Sequence, residues 1–393
     1  MRQDPLGFLA DELNLLREQG LFRRLRVLDG EQAARTSVDH RSVVNLSSNN
    51  YLGLTTHPKL REKSIEATRR YGVGSGSVRT IAGTMDIHMA LERKLAEFKR
   101  TEAAVVFQSG FTANAGTVSS ILGRDGVIVS DELNHASIID GARLSRATIK
   151  VFPHRDAAAA RAIVEGLPRG QRTLIITDGV FSMDGDLGAL PALCDVADEY
   201  GCIMMVDDAH ASGVFGANGR GTVDHFGMHG RVDVQVGTLS KAIGALGGYV
   251  AGTRALIEFL YHRARPFLFS TSHPPAVAAT CLAAIEVLET EPRLIEQLWE
   301  NARFFKSGLQ ALGFNTGGSE SPITPVIVGD AQLAMQLSDG LFAKGVFAQG
   351  IGFPTVPRGK ARVRTIVTAT HTRQDLQFAL DCFASVGRSL GVI

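Results

Sequence analysis

The chain of 393 residues is poor in cysteine and tryptophan, with four cysteines and a single tryptophan. No CxxC pair or other closely spaced metal motif is present, because the cysteines are widely separated: Cys194, Cys202, Cys281 and Cys382. This spacing argues against a disulfide framework and against a cysteine-based zinc site. We therefore expect reduced thiols in a cytoplasmic protein and no bound metal.

An excess of charge of one sign is also missing. Lys and Arg total 41 and Asp and Glu total 40, so the formal net charge is +1. Such a balance provides no field that would attract nucleic acid or a membrane surface. The sequence contains no stretch of about 20 apolar residues, so we expect no membrane span. The N-terminal stretch "MRQDPLGFLADELNLLREQG" carries charges throughout and is not expected to be a signal peptide.

The sequence does contain short apolar runs that alternate with helical patterns. Strands alternating with helices predict a mainly parallel α/β sheet. Because the runs do not alternate strictly between apolar and polar residues, we expect strands that are buried on both faces. The runs are "AAVVFQ", "GVIVSD", "TIKVFP", "TLIITDG", "CIMMVDD", "VDVQVGT" and "GGYVAG".

The pattern also predicts three parts of the chain. Leu9, Leu13 and Leu16 have helical spacing, with Gly20 as the expected C-cap. This helix opens an N-terminal arm over residues 1–55. We expect a large domain over residues 56–289 and a smaller α+β C-terminal domain over residues 290–393.

Residues with chemically useful side chains follow the predicted strands. His135 follows "GVIVSD", and Ser182 follows "TLIITD". Asp207 and His210 follow "CIMMV", and Lys241 follows "VDVQV". Ligands of open α/β sheets bind beyond the carboxyl ends of the strands. We therefore expect these side chains to converge on one crevice.

A further strand end carries the segment "SGFTANAG". It is either a simple strand-to-helix turn or an anion site, since free amides at a helix N-terminus attract a phosphate. Taken singly, the other residues also have ordinary structural interpretations: capping, turn formation, or a lysine that reaches solvent. Their joint occurrence fits those interpretations poorly.

One cofactor requires this whole set. Pyridoxal phosphate (PLP) has an aldehyde that condenses with a lysine amine, a phosphate, and a ring nitrogen that pairs with a carboxylate. Its ring also needs a stacking partner, and its phenolic oxygen needs donors. The residues that match these needs are Lys241, the amides of Gly110 and Phe111, Asp207, His135, and the pair Ser182 and His210.

Longer motifs resemble one family along nearly the whole chain. They are "SDELNHASIIDG", "TDGVFSMDGD", "MVDDAHASGVFG", "GTLSKAIG", "RPFLFSTSHPP" and "ARVRTIVTATHT". These motifs are similar to the α-oxoamine synthases, which are fold-type I, PLP-dependent acyltransferases. The resemblance implies that Lys241, His135 and Asp207 are catalytic and that Gly110, Phe111, Ser182 and His210 bind the cofactor.

The same resemblance implies further contacts. Thr238 is similar to a phosphate-binding residue, and Asn50 and Arg364 resemble the residues that hold the amino-acid substrate. A planar guanidinium suits a carboxylate because it binds in a bidentate way. In the family the "STS" stretch belongs to the neighbouring subunit, so Thr271 and Ser272 would complete the site across a homodimer. Arg23 or Arg24 lies where some relatives contact the acyl substrate.

The implied reaction condenses glycine or alanine with an acyl-CoA to give an α-oxoamine and free CoA. "GSGSVRTIAGT" and "VPRGKARVRTIVTATHT" most resemble members that make 2-amino-3-ketobutyrate from glycine and acetyl-CoA and also form 8-amino-7-oxononanoate. We expect this double capacity, with the glycine reaction as the better one. The alternatives are an enzyme dedicated to 8-amino-7-oxononanoate, within biotin synthesis, or another fold-type I enzyme.

Rival classes have specific weaknesses. An aminotransferase would share Lys241 and Asp207 but carry a different active-site pattern. The interpretation as a nucleotide-binding dehydrogenase depends on the segment "YGVGSGSVR". That segment lacks the G-x-G-x-x-G spacing and is not preceded by a predicted strand. A non-catalytic relative would be expected to lose the lysine or the aspartate. A metal site at His225 and His229 lacks the glutamate of HExxH and a third ligand.

Overall fold

The computed structural model describes residues 4–18, 22 and 24–393. The helices are α1 (Phe8–Glu18), α2 (Pro58–Tyr71), α3 (Asp86–Lys99), α4 (Gly110–Ile121), α5 (Ala136–Ser145), α6 (Ala157–Glu165), α7 (Leu190–Tyr200), α8 (Thr222–His225), α9 (Arg254–Arg263), α10 (Arg265–Leu268), α11 (Pro275–Thr290), α12 (Arg293–Ala311), α13 (Ala331–Ala343) and α14 (Arg373–Ser389). The strands are β1 (Arg35–Val38), β2 (Arg41–Asn45), β3 (Ala103–Phe107), β4 (Val127–Asp131), β5 (Thr148–Phe152), β6 (Thr173–Asp178), β7 (Ile203–Asp207), β8 (Val234–Thr238), β9 (Gly248–Gly252), β10 (Ile323–Gly329), β11 (Val346–Phe347), β12 (Gln349–Ile351) and β13 (Ala361–Ile366).

The central sheet has the strand order β3-β9-β8-β7-β6-β4-β5. Strands β8, β7, β6, β4 and β5 are parallel, as the alternation of strands and helices predicts. Strand β9 runs antiparallel to both of its neighbours. The connection 239–247 between β8 and β9 is too short for a parallel crossover, which needs a dozen or more residues. Lys241 therefore lies in a hairpin connection, not in a strand-to-helix loop.

The apolar runs form strands whose two faces are both covered. Ile128, Ile176 and Met205 pack in one core cluster with residues of α4, α5 and α9. Val129, Ile175, Met204 and Val206 pack in another cluster, with residues of α6 and α7. Successive strand residues point to opposite faces, so continuous apolar runs supply both cores. This confirms the expectation of strands buried on both faces.

The C-terminal part has its own antiparallel sheet, with the order β10-β13-β12. Strand β11 pairs in parallel with β2, so the segment around residues 41–45 is tied to the C-terminal part of the chain. A smaller C-terminal domain with a separate sheet is thus confirmed. The boundaries at residues 55 and 289 stay predictions.

The predicted N-terminal helix is present as α1, and all of its side chains are exposed. The expected C-cap, Gly20, lies outside the described residues, as does Arg23. The four cysteines are free thiols. Within the ranges that the structure describes, no helix combines the length and the apolar character needed to cross a membrane.

Candidate active site

A pocket opens at the carboxyl ends of β4, β6, β7 and β8, next to the N-terminus of α4. It brings together seven of the predicted site residues, namely Gly110, Phe111, His135, Asp207, His210, Thr238 and Lys241. The same pocket is also lined by residues that the sequence analysis did not select: Ser109, Asn114, Ser137, Asp178, Val180, Ala209 and Ser240. One wall therefore combines a helix N-terminus with the polar ends of parallel strands.

The N-terminus of α4 forms the end of the pocket that would attract an anion. Ser109 caps the helix: its Oγ accepts from the Thr112 amide at 3.1 Å, and its own amide donates to Thr112 Oγ1 at 2.9 Å. Among the described residues, the amides of Gly110 and Phe111 have no acceptor. A Cβ at Gly110 would lie 3.4 Å from Thr238 Cβ, so the helix N-terminus directly adjoins Thr238. The arrangement fits a phosphate group.

Asp207 ends β7 and is fixed by two donors. The Ala209 amide donates to its Oδ1 at 2.8 Å, and Asn114 Nδ2 donates to its Oδ2 at 2.6 Å. The carboxyl is buried, with 5% of the residue exposed. A buried carboxylate held in this way is suited to a cationic ring nitrogen, which would supply the missing counter-charge.

His135 lies at the N-cap of α5 and reaches solvent at the pocket mouth. Its Nδ1 lies 2.7 Å from Ser137 Oγ, so this edge of the imidazole ring is held in place. The partial burial of the ring lowers the pKa of His135, and Lys241 adds to this effect while Asp207 opposes it. The ring is therefore neutral near pH 7 and is able to stack or to accept a proton.

Lys241 is partly buried in the β8–β9 connection. It has no carboxylate partner within the part of the chain that the structure describes. Burial lowers its pKa to about 8; Arg364 adds to that effect, while Asp207 and Asp178 oppose it. A substantial fraction of the amine is thus unprotonated near neutral pH and available as a nucleophile or base.

Buried Tyr51 contacts His210, and the sequence analysis missed this pair. Tyr51 Oη lies 2.7 Å from His210 Nδ1. Burial drives the pKa of His210 well below its ordinary value, with Lys241 and Arg364 adding to the effect. Burial also raises the pKa of the Tyr51 hydroxyl. A neutral phenol and a neutral imidazole therefore share this hydrogen bond, which holds the orientation of the His210 ring.

The two predicted substrate residues do not line this pocket. Arg364 lines an adjoining cavity together with Gln32, Ser48 and Met183, and it has no carboxylate partner among the described residues. Its Nη1 donates to the main-chain oxygen of Ser182 at 3.2 Å. Asn50 Nδ2 donates instead to Thr55 Oγ1 at 2.7 Å and to the Gln32 oxygen at 3.1 Å.

Four further predicted residues also lie outside the pocket lining of one subunit. Ser182 contributes a carbonyl to Arg364 but does not line the pocket. Ser272 is buried, and its Oγ donates to the Gly83 oxygen at 2.6 Å. Thr271 pairs with Val78 through an isolated bridge. Arg24 is exposed and lines a surface cavity with Arg26, Asp339 and Phe353.

The pocket and the fold define a PLP-dependent enzyme of fold type I. The chain belongs to the class I and II aminotransferase family, whose model matches residues 41–383, and within it to the α-oxoamine synthases. It is a PLP-dependent acyltransferase acting on an amino acid and an acyl-CoA. The dehydrogenase alternative is wrong: the glycine-rich segment follows helix α2, which ends at Tyr71, and not a strand.

Similar proteins are known from several bacteria. The 8-amino-7-oxononanoate synthase of Symbiobacterium thermophilum is 63% identical over 98% of this chain and 99% of its own length. The enzyme of the same name from Thermoanaerobacter pseudethanolicus is 55% identical over 99% of this chain and 98% of its own length. The serine palmitoyltransferase of S. paucimobilis, solved with a PLP–myriocin adduct, superposes with a TM-score of 0.94 at 32% identity, covering 100% of both chains.

Proposed function

We propose that this enzyme condenses L-alanine with pimeloyl-CoA to give 8-amino-7-oxononanoate, CO2 and CoA. The observation that carries the proposal is the run of curated 8-amino-7-oxononanoate synthases at 51% to 63% identity over almost the whole chain. The sequence analysis ranked the glycine and acetyl-CoA reaction first. The relatives favour the alternative reaction, that of an enzyme dedicated to biotin synthesis. Because these relatives are bacterial, they also favour a cytoplasmic location.

The proposed reaction forms one carbon–carbon bond and breaks a carbon–sulfur bond and a second carbon–carbon bond. Alanine loses its Cα proton, and Cα forms a bond to the acyl carbon while the carbon–sulfur bond breaks and CoA leaves as the thiol. The bond from Cα to the carboxylate then breaks, CO2 departs, and a second proton is added to Cα from solvent, because the proton first lost from Cα ends on the CoA thiol. PLP, when bound, supplies the electron-accepting ring that makes loss of the proton and of CO2 feasible.

Six pocket residues and the nearby Ser182 are proposed to hold the cofactor and move protons. The amides of Gly110 and Phe111, with Thr238, bind the phosphate. Asp207 holds the proton at the ring nitrogen. Ser182 and His210 contact the phenolic oxygen, although Ser182 would have to approach from its position beside Arg364. Lys241 binds the aldehyde and, once displaced, takes the Cα proton through the neutral form of its amine.

Arg364, His135 and Asn50 are proposed to act on the substrates. Arg364 is a partly buried guanidinium without a carboxylate partner among the described residues, and it lines the adjoining cavity. A free cation in that position is suited to the carboxylate of alanine. His135 stacks on the cofactor ring and donates a hydrogen bond or proton at the acyl oxygen. Asn50 would help to hold the amino acid.

The enzyme is proposed to work as a homodimer in which Thr271 and Ser272 of one subunit complete the phosphate site of the other. Exposed apolar side chains support this proposal, because Ile81, Phe111 and Phe269 are 82%, 46% and 69% exposed in the single chain. Ile81 and Phe269 lie near the bridge between Val78 and Thr271, and grouped exposed apolar side chains mark interaction surfaces.

Genetic complementation tests the proposed function. A bacterium that lacks its 8-amino-7-oxononanoate synthase should grow without biotin when it expresses this chain. The matched control is Lys241→Ala, which should be produced at the same level and should not support growth. Failure of the wild-type chain to restore growth, with PLP-loaded protein detected in the same cells, would contradict the proposal.

A further inference from the structure

Asp178 forms a carboxyl pair with Asp207. The two residues end the neighbouring parallel strands β6 and β7 and are aligned in register. Both line the cofactor pocket, and each is 5% exposed. Residues aligned on neighbouring strands lie about 5 Å apart, so two buried carboxyls of like charge face the same small space.

The hydrogen bonds of the two carboxyls differ sharply. Asp207 has a donor at each oxygen, from Ala209 and Asn114. Oδ1 of Asp178 is buried without a partner, and among the described residues the main-chain amide of His135 is the one donor that favours the charged form of this carboxyl. The main chain of Asp178 is held, since its amide donates to Asn134 Oδ1 at 2.8 Å.

Charged and titratable groups surround Asp178 from several elements. Asp207 faces it from β7, Asp131 from the end of β4, and Lys241 from the β8–β9 connection. Lys241 is the one positive charge among these three groups, and two carboxyls oppose it. Burial and the neighbouring Asp207 raise the pKa of Asp178 well above its ordinary range. When two buried carboxyls adjoin, the proton resides on the one with fewer donors.

We propose that Asp178 is held as a neutral carboxylic acid whose hydroxyl donates a hydrogen bond to an oxygen of the bound cofactor. The pocket then carries one fixed carboxylate, Asp207, and one fixed acid, Asp178. A neutral Asp178 also avoids raising the pKa of Lys241, which keeps the reactive amine available. The inference concerns the cofactor pocket and does not depend on which acyl-CoA is used.

Infrared spectroscopy of the PLP-loaded enzyme tests the protonation state directly. The wild type should show the C=O stretch of a protonated carboxylic acid at about pH 7. Asp178→Asn should lack that band, and the control Asp156→Asn, at the cap of α6, should retain it. A wild-type enzyme without the band, or an Asp178→Asn variant that keeps it, would overturn the proposal.

Cofactor affinity tests the donated hydrogen bond. Asparagine keeps a neutral donor, so Asp178→Asn should bind PLP within about threefold of the wild type, with an unchanged pH midpoint in the absorbance titration of the bound cofactor. Asp178→Leu, with similar volume and no donor, should bind PLP about tenfold more weakly. Unchanged affinity in a folded Asp178→Leu, or a shifted midpoint in Asp178→Asn, would refute the donor role. If Asp178→Leu does not fold, the infrared C=O band and the PLP affinity of Asp178→Asn decide whether Asp178 is a neutral donor.

Discussion

Asn114 Nδ2 lies 2.6 Å from Asp207 Oδ2 and 3.0 Å from Ser137 Oγ. Ser137 Oγ in turn lies 2.7 Å from His135 Nδ1. One side chain of α4 thus connects the carboxylate at the end of β7 to the histidine at the start of α5. Asp207, Asn114, Ser137 and His135 are therefore positioned as a unit at the cofactor pocket.

Asn114→Ala should weaken PLP binding because it removes a donor from a buried carboxylate. Hydrogen bonds to charged groups contribute roughly 1.5–3 kcal/mol, so we expect a loss of affinity of about ten- to hundredfold. Fluorescence titration of the PLP-free protein measures this. Ser119→Ala, on the same helix, should bind PLP like the wild type; an equal loss in both variants would indicate general damage to α4.

Tyr51→Phe should disturb the cofactor through His210. The phenol shares a hydrogen bond with Nδ1 of His210, so its loss leaves the orientation and the tautomer of the ring free. We expect about tenfold weaker PLP binding, comparable with the loss of one buried hydrogen bond, and an altered absorbance spectrum of the bound cofactor. A wild-type spectrum and affinity in Tyr51→Phe would show that His210 is oriented by other contacts.

His154 should make stability fall at alkaline pH. Burial opposes its charged form, but hydrogen bonds to Asp131 and Asp186 outweigh burial and raise its pKa from 6.5 to about 9. A raised pKa stabilises the fold fully below pH 6.5, and the contribution is lost as pH rises through about 9.

The variant that checks this is His154→Gln, measured by urea unfolding across the pH range. It should lose up to about 3 kcal/mol at low pH and very little at high pH. His262→Gln is the control, since His262 is exposed and has no carboxylate partner among the described residues. A constant difference between wild type and His154→Gln at every pH would exclude the ionic contribution.

Mixed dimers should reveal sites shared between subunits. Lys241→Ala and the double variant Thr271→Ala, Ser272→Ala should each be inactive alone. After random mixing, half of the dimers are heterodimers, each with one intact site, so about one quarter of the wild-type activity should return. Because Ser272 Oγ also holds the Gly83 carbonyl, the melting temperature of the double variant must be checked. No recovery in verified heterodimers would argue for self-contained sites.

Much of the fold and half of the pocket could be predicted because they follow from local pattern. Apolar runs identify the strands, and the polar residues that follow them, such as His135 and Asp207, necessarily meet at one edge of a parallel sheet. The direction of β9 was not predicted, since it depends on the length of its connection to β8.

The missed residues act through contacts that the sequence does not display. Tyr51 was not predicted because it lies far from His210 in the chain, and the two residues meet only after folding. Asn114 had a usable signal, because it lies one helical turn after Gly110 and so faces the same side of α4. Asp178 is the last residue of an apolar strand, and its carboxyl matters only because Asp207 adjoins it in register.

The most direct measurement pairs two thioesters with two amino acids on the PLP-loaded enzyme. CoA release, product mass and CO2 release from carboxyl-labelled substrate are followed for pimeloyl-CoA and acetyl-CoA, each with L-alanine and with glycine. We predict the highest kcat/KM for pimeloyl-CoA with L-alanine, with one CO2 released per CoA and a product of the mass of 8-amino-7-oxononanoate. Turnover of acetyl-CoA with glycine, together with no product from pimeloyl-CoA at saturating L-alanine, would contradict the account.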